Sequence, residues 1–227
     1  MTIPRKSDVV VIGGGVIGTS IAFNLARMGA GKVVLLERRQ LASGSTGLSS
    51  GLVRMHYDNP LEGNFAFKSL ETFQHFDEIV GGDCGFARTG FLRTVKPHNL
   101  EELKANVTML QSIGVNTRLV TRDEIRVLER LCTRIPAMET GTIRRGHAGI
   151  NDHTPDKHAL LGPAPGIEGF YCAIGFSRHG FKEAPVVGQA MAELILNGRA
   201  EIVDITPLRL TRFEEGQPYH GPYPYHD

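Results

Sequence analysis

Two short runs of consecutive apolar residues lie near the start of the chain, one helix length apart. Residues 9–12 read Val-Val-Val-Ile and residues 33–36 read Val-Val-Leu-Leu. Unbroken apolar runs of this length are typical of parallel strands that are buried on both faces. The segment between them predicts a helix from about Val16 to Met28, which ends before Gly29. The pattern therefore predicts a β-α-β unit built on a buried parallel sheet.

Helix-like and strand-like patterns alternate along the rest of the chain. Apolar residues recur with helical spacing in several segments, and β-rich segments lie between them. The predicted helices are residues 63–80, 100–110, a short one opened by a capping box at 121–124, and 185–197 with Pro185 in its first turn and Gly198 at its end; the predicted strands are 85–95, 115–120 and 170–174. We expect the strand at 170–174 to join the N-terminal parallel sheet.

The turn after the first strand carries a glycine pattern that binds phosphates. Gly13, Gly15 and Gly18 give G-x-G-x-x-G, in which the glycines allow a tight turn, a close approach to a pyrophosphate and close helix–strand packing. The following helix directs its N-terminal N–H groups at the phosphates. Glu37 ends the second strand about 20 residues on, where a carboxylate accepts from ribose hydroxyls. Together these features predict a dinucleotide-binding unit.

Composition limits the other classes of function. The chain has 227 residues and a net charge of +1, and it has no long basic run that would indicate nucleic acid or an anionic membrane surface. No apolar stretch approaches the roughly 18–20 residues that span a bilayer. The three cysteines are far apart, so they predict neither a disulfide framework nor a zinc site. With no room for a signal peptide before the first strand, we expect a cytoplasmic protein without a metal.

Two motifs near the C-terminus resemble a known family. Residues 153–156 read His-Thr-Pro-Asp and residues 175–182 read Gly-Phe-Ser-Arg-His-Gly-Phe-Lys. With the N-terminal glycine pattern and the Gly-Ser-Thr loop at 44–46, they resemble the FAD-dependent amine oxidoreductases that include D-amino acid oxidase, glycine oxidase and the sarcosine oxidases. The resemblance covers about residues 7–130 and 148–216. It implies an α/β fold with an FAD-type, Rossmann-like parallel sheet and a truncated antiparallel substrate sheet.

The resemblance also implies roles for particular residues. The flavin nucleotide would be held by Gly13, Gly15, Val16, Ile17, Gly18, Glu37, Arg38, Ser45, Thr46, Gly175, Phe176, His179, Gly180, Phe181 and Lys182. Arg54 matches an arginine that binds the substrate carboxylate, and Lys182 would assist it at the flavin edge. Arg54 as a surface residue, and His56 and Tyr57 as ordinary packing residues, remain the alternatives. A metal cluster of His153, His158 and His179 is disfavoured, because the resemblance places them in separate loops.

The sequence departs from this family in two places. Arg178 stands where the family usually has a glycine beside the flavin, so its side chain is expected to obstruct the ring or to redirect the turn. The segment between the two matching blocks is much shorter than in the family. We therefore expect a discontinuous FAD-binding domain at 1–84 and 148–213, a truncated substrate domain at 85–147 and an irregular tail at 214–227.

Two functions from different classes follow. The first is an FAD-dependent oxidoreductase that oxidises the C–N bond of a small amino acid or N-methyl amino acid, with noncovalent FAD and with oxygen or an electron-transfer partner as acceptor. The second is a non-catalytic family member that binds FAD poorly or needs a partner subunit to cover its open sheet. An NAD-linked dehydrogenase is a weaker alternative, since the glycine pattern alone does not distinguish the two dinucleotides.

Overall fold

The fold begins with the predicted β-α-β unit. The computed structural model describes residues 6–121 and 152–222. Strand β1 (Val9–Ile12) leads into helix α1 (Val16–Arg27), and strand β2 (Val33–Leu36) returns beside β1. The two strands are parallel, with Val9 opposite Val33 and Ile12 opposite Leu36. The predicted β-α-β order and the parallel pairing of the two strands are confirmed.

The turn from β1 into α1 depends on two of its glycines for geometric reasons. Gly13 has a φ of +106°, a backbone conformation that side chains other than glycine rarely adopt. A Cβ atom added to Gly18 would lie 1.9 Å from the carbonyl oxygen of Gly13. The first turn of α1 can therefore lie directly against the end of β1 only because residue 18 is glycine.

The parallel sheet is covered on one face, and the prediction that both faces are buried is wrong. Val9 and Val11 pack against the core, whereas Val10 and Ile12 are 49% and 79% exposed. Because side chains alternate across a strand, this pattern means that α1 and its neighbours cover only one side. The opposite face of β1 is apolar and open to solvent.

Residues 6–121 and 152–222 contain four further helices. They are α2 (Pro60–Gln74), the short α3 (Phe76–Ile79), α4 (Leu100–Ser112) and α5 (Gly180–Asn197), with short 3-10 helices at Pro97–Asn99, Thr206–Leu208 and Leu210–Phe213. The single helix predicted over 63–80 begins at Pro60 and is broken at His75, whose ψ of 37° is not helical. Helix α5 begins five residues before Pro185, so that proline lies inside the helix rather than in its first turn. Gly198 ends α5 with a left-handed φ of 77°, as predicted.

The second sheet does not come from the predicted segments. Strands β3 (Leu160–Pro163) and β4 (Tyr171–Ile174) form an antiparallel pair, with Leu160 opposite Ile174. The strand expected at 170–174 therefore exists, but it does not join the parallel sheet. Within the described residues 85–121 no strand forms, so the strands predicted at 85–95 and 115–120 are wrong. Most of the capping box at 121–124 lies outside the described residues.

The crossing of α1 and α5 forms the centre of the core. Buried residues of α5, including Val187, Ala190 and Met191, pack with Leu25 of α1. The two helices approach so closely at Gly188 that an added Cβ would lie 2.1 Å from Oγ and 2.7 Å from the carbonyl oxygen of Ser20. This contact fixes where the N-termini of both helices lie. No helix in the described residues is long and apolar enough to cross a membrane.

A buried ion pair ties the C-terminal segment to the residues before β3. Both Arg212 and Asp156 have fully buried side chains, and Nε and Nη2 of Arg212 donate to the two carboxylate oxygens at 2.7 and 2.8 Å. The backbone N–H of Tyr219 donates to the same carboxylate at 2.9 Å. These donors hold the pKa of Asp156 well below its usual range against the opposing effect of burial. We call this group the Asp156 latch.

Candidate active site

A cleft of about 870 Å³ lies where the two sequence motifs meet. One wall is the N-terminus of α1 with the loop at 45–54, and the other is the turn and first residues of α5 at 175–182. The cleft is lined by Val16, Ile17, Ser45, Thr46, Leu48, Ser49, Ser50, Leu52, Arg54, Asp152, Phe176, Arg178, His179, Gly180, Phe181 and Lys182. Its volume is in the range of sites for cofactors and other small molecules.

Two backbone N–H groups at the start of α1 already donate hydrogen bonds to side chains of the protein. The N–H of Val16 donates to Oγ1 of Thr46 at 3.0 Å, and the N–H of Gly14 donates to Oε2 of Glu37 at 2.8 Å. The Gly14 N–H is the main cause of a lowered pKa for Glu37. A bound anion could take the place of the Glu37 carboxylate and the Thr46 hydroxyl as the acceptor of these N–H groups at the helix N-terminus. This end of the cleft is therefore suited to a phosphate.

The opposite wall is held in place by Asp152. Its carboxylate accepts from the N–H groups of Gly175 and Phe176 at 2.9 and 3.3 Å, and its carbonyl accepts from Ser177. Gly175 has a φ of 70° and lies so close to Thr154 that a Cβ would be 2.6 Å from Cγ2. The motifs at 153–156 and 175–182 thus form one packed unit.

Arg178 takes the left-handed backbone conformation that glycine favours. Its φ is 79°, and that of Ser177 before it is 47°. Both residues are strained, since a Cβ disfavours this region. The departure from glycine noted in the sequence therefore affects the backbone as well as the side chain, which lines the cleft.

Replacing Arg178 by glycine is expected to stabilise the protein by about 0.5–1 kcal/mol, because the left-handed strain is relieved. It also removes a large side chain from the cleft, so we expect tighter retention of a bound cofactor. Urea unfolding and cofactor titration measure the two effects. Arg199→Gly, at an exposed site after α5, is the control. An unfolding free energy for Arg178→Gly equal to or below that of the wild type would contradict the assignment of strain.

Two cations approach one buried aromatic ring beside the cleft. Nζ of Lys182 lies 5.2 Å from the ring centre of Tyr57, and Cζ of Arg54 lies 5.4 Å from it. Burial lowers the pKa of Lys182 to about 8, and burial likewise lowers the pKa of Arg54. The hydroxyl of Tyr57 is buried without a hydrogen-bond partner among the described residues. The arrangement presents two positive groups and an unpaired hydroxyl, which suits an anionic ligand such as a carboxylate.

Glu62 connects the turn at the cleft to helix α2. Its Oε1 accepts from Nδ1 of both His158 and His179 at 2.7 Å, and its Oε2 accepts from Asn59 at 3.0 Å. These bonds outweigh burial and lower the pKa of Glu62 to about 2. Close by, Glu183 is fully buried, and burial raises its pKa well above the usual range. We call Glu62, His158, His179 and Glu183 the carboxylate–histidine cluster.

The carboxylate–histidine cluster brings together residues that are far apart in the sequence. Ligand atoms of Glu62, His179 and Glu183 lie within 4.8 Å of one another. However, Oε1 of Glu62 already accepts hydrogen bonds from the imidazoles of His158 and His179, so hydrogen bonds link these three residues in this arrangement. His158 and His179 lie in separate segments, as expected, yet they share one carboxylate.

Ten of the residues predicted for the site line the same cleft. They are Val16, Ile17, Ser45, Thr46, Arg54, Phe176, His179, Gly180, Phe181 and Lys182. The other predicted residues are not on the wall: Gly13, Gly15, Gly18, Glu37 and Arg38 shape or flank the first turn, and Gly175 supports the second. Arg38 is exposed beside Glu37.

Sequence reasoning missed Glu62 and Asp152 and left Tyr57 undecided. Asn59 and Glu62 carry the spacing of a capping box, and the Asn59 side chain does accept from the Glu62 N–H. That spacing indicates the start of a helix, and nothing in it indicates that Glu62 also binds His158 and His179. Asp152 precedes the 153–156 motif without a signal of its own. Tyr57 is buried and packs against His179, a residue of the cleft wall, with a ring-centre distance of 5.4 Å.

Comparisons with known proteins identify a family for the chain. The chain matches the family model described as DAO, FAD dependent oxidoreductase, over residues 8–131 and 125–194. It is 40% identical to FAD-dependent oxidoreductase domain-containing protein 1 of Bos taurus over 93 residues, which are 40% of this chain and 19% of that protein. It is 31% identical to mitochondrial dimethylglycine dehydrogenase of Mus musculus over 156 residues, which are 68% of this chain and 17% of that protein. Each alignment spans less than a fifth of the relative.

Two solved structures share the fold. L-proline dehydrogenase from P. horikoshii has a TM-score of 0.80 at 18% identity, with 96% of this chain and 100% of that chain covered. Glycine oxidase from Geobacillus kaustophilus has a TM-score of 0.71 at 15% identity, with 92% and 99% covered. At these identities the likeness concerns the fold alone.

The residues of the cleft fit a flavin dinucleotide. The N-terminus of α1 provides backbone N–H donors. A Cβ atom added to Gly15 would lie 3.2 Å from Oγ1 of Thr46, so glycine keeps this end of the cleft open. The buried hydroxyl of Tyr57 has no hydrogen-bond partner among the described residues. A pyrophosphate at one end and a polar group at the other would satisfy these features. The family model covers most of the sequence, and the two motifs that it spans meet at this cleft. The chain belongs to the family of FAD-dependent oxidoreductases.

Proposed function

We propose that this chain oxidises the C–N bond of a small amino acid or N-methyl amino acid, with FAD held noncovalently in the cleft. The observation that carries the proposal is the pair of cations, Arg54 and Lys182, on the Tyr57 ring at the cleft. The relative named for dimethylglycine supports the same class of substrate.

The nucleotide would be held at the first motif. The start of α1 and the hydroxyls of Ser45 and Thr46 would bind the pyrophosphate, after Thr46 gives up the N–H of Val16. Glu37 would exchange the N–H of Gly14 for a ribose hydroxyl. The loop at 41–51 contains neither histidine nor cysteine, which supports noncovalent binding.

The substrate would be oriented by its carboxylate. Arg54 can bind a carboxylate through two parallel N–H bonds, and Lys182 adds a second positive charge from α5. FAD, when bound, supplies the acceptor for a hydride from the carbon next to nitrogen, and water then hydrolyses the resulting imine. Oxygen or an electron-transfer protein would reoxidise the flavin.

Retention of FAD and its anaerobic bleaching test the proposal. The purified protein is incubated with FAD, desalted and mixed without oxygen with sarcosine, glycine, dimethylglycine or proline. We expect a retained flavin band and its loss with at least one of these substrates. Arg54→Met should retain FAD but require much higher substrate concentrations, whereas Arg39→Met, exposed outside the cleft, serves as the control. Loaded protein that no substrate bleaches would refute the proposal.

Substrate affinity is expected to fall as the pH rises through about 8. The pKa of Lys182 is lowered to about 8, chiefly by burial, so the side chain is a cation below that pH and neutral above it. A neutral amine attracts a carboxylate less, so the KM of the substrate should rise while kcat changes less. Lys182→Arg keeps its charge throughout and should remove this pH dependence. A KM that stays constant between pH 7 and pH 9.5 would contradict the role of Lys182.

A non-catalytic role that depends on a partner subunit is the second candidate. The open apolar face of β1, with Val10 and Ile12 exposed, favours it, since such faces are usually covered. One relative, 29% identical over 132 residues, is named a regulatory subunit, that of mitochondrial pyruvate dehydrogenase phosphatase in Mus musculus. Light scattering of the FAD-loaded protein gives its mass in solution, and the bleaching experiment shows whether substrate reduces it. A stable monomer whose flavin is reduced by substrate excludes the non-catalytic role.

A further inference from the structure

We infer that His179, oriented by Glu62, accepts the proton of the substrate's ammonium group at its Nε2 atom. The inference rests on the proposed function and assigns a role that the carboxylate-binding pair does not fill. An amino acid enters the cleft mainly as an ammonium ion, whereas oxidation of its C–N bond needs the nitrogen lone pair. A proton acceptor within the cleft is therefore required by the chemistry.

The hydrogen bonds of Glu62 fix which nitrogen of His179 is free. A carboxylate with a lowered pKa is unprotonated at neutral pH and can only accept, so Nδ1 of His179 must carry the proton in the 2.7 Å bond. In the neutral ring Nε2 is then an acceptor. Among residues 6–121 and 152–222, the hydrogen bond of the His179 ring is the one at Nδ1, and His179 lines the cleft. His179 thus offers a lone pair beside the cations that would hold the substrate.

Charged groups from several elements lie around His179. Helix α2 contributes Glu62, and α5 contributes Glu183, whose Oε1 is 4.0 Å from Nδ1 and has no hydrogen-bond partner among the described residues. The Tyr57 ring, from the loop before α2, packs against His179, and Lys182 and Arg54 both approach that ring. His158, from the segment before β3, shares the Glu62 carboxylate.

The proposed step moves one proton and no electrons. The N–H bond of the substrate ammonium breaks, a bond from Nε2 to the proton forms, and the imidazolium is stabilised by the Glu62 carboxylate. The amine then carries a lone pair, and oxidation proceeds as described above. Glu62 acts as a positioning residue, because it touches His179 and not the substrate.

The pH dependence of flavin reduction tests the role of His179. The rate of anaerobic reduction at saturating substrate is compared for the FAD-loaded wild type, His179→Gln and His98→Gln, a control at an exposed site. At pH 7 we expect His179→Gln to be slower by about 10²–10³. The deficit should shrink as the pH nears the pKa of the substrate's own ammonium, since the free amine needs no acceptor. A deficit that is constant with pH, or absent, would overturn the inference and leave the proposed function standing.

A second measurement does not depend on activity. Nitrogen-15 spectra of histidine-labelled protein report which ring nitrogen is protonated, with His179→Gln providing the assignment. We expect the Nδ1–H form of His179 in the wild type at neutral pH, and the Nε2–H form would overturn the inference. Glu62→Gln should slow reduction by about 10–100-fold with FAD retained, and Glu62→Asp should recover part of this loss. If no substrate reduces the wild type, the proposed function fails and the role of His179 fails with it, whichever tautomer the spectrum shows.

Discussion

Replacing Arg212 by methionine should lower the free energy of unfolding by about 3–5 kcal/mol. The substitution leaves the Asp156 carboxylate buried without the two guanidinium donors that neutralise it. It also removes the donor to the carbonyl of His158. Urea unfolding, followed by circular dichroism, measures the change. The expected loss is a large part of the stability of an ordinary domain.

Arg209→Met provides the matched control for the Asp156 latch. Arg209 pairs with Glu215 at a partly exposed site three residues away, where screening by water keeps ion pairs weak. We expect this variant to lose less than about 1 kcal/mol. If the two variants lose the same amount, the buried pair contributes no more than a surface pair and our account of the latch is wrong.

Gly188→Val should separate α1 from α5 and lower both stability and cofactor affinity. The added Cβ meets the backbone of Ser20 as well as its hydroxyl, so one of the two helices must move. Overpacking of this kind costs about 1–3 kcal/mol. Because α1 and α5 each carry one wall of the cleft at their N-termini, we also expect weaker FAD binding. Thermal unfolding and FAD titration record the two effects.

Two further variants define the cause of the Gly188→Val effect. Asn197→Val places the same side chain at an exposed position of α5 and should cost only a few tenths of a kcal/mol in helix propensity. Ser20→Gly removes the hydroxyl but not the carbonyl oxygen, which is 2.7 Å from the new Cβ, so it should not rescue Gly188→Val. A full rescue would show that the side chains alone set the distance between the helices.

Local features of the sequence predicted the N-terminal unit well. The spacing of Gly13, Gly15 and Gly18 determines a turn whose geometry depends on atoms only a few residues apart, and the two apolar runs pair with each other. Exposure of Val10 could not be predicted in this way, because an unbroken apolar run indicates cover on both faces. What covers a strand depends on elements far away in the chain.

The second sheet and the carboxylate–histidine cluster were harder to predict, for different reasons. Gly85 and Gly90 have φ values of 68° and 79°, which interrupt the strand that residues 85–95 otherwise suggest. Strand β3 contains Gly162 and Pro163, and both residue types have a low β-strand propensity. In the cluster, Glu62 meets histidines 96 and 117 residues later in the chain. No local pattern records such a contact.

The Asp156 latch has a consequence for the order in which the protein matures on the ribosome. Asp152 and Thr154, which set the turn at the cleft, lie next to a carboxylate whose partners are Arg212 and the N–H of Tyr219. The turn can reach its final form only after those later residues have left the exit tunnel. The end of the cleft that we propose for the nucleotide is made from residues before 53, which emerge much earlier. Capture of the flavin should therefore begin at the segment that emerges first and be completed only after Arg212 and Tyr219 have emerged and closed the latch.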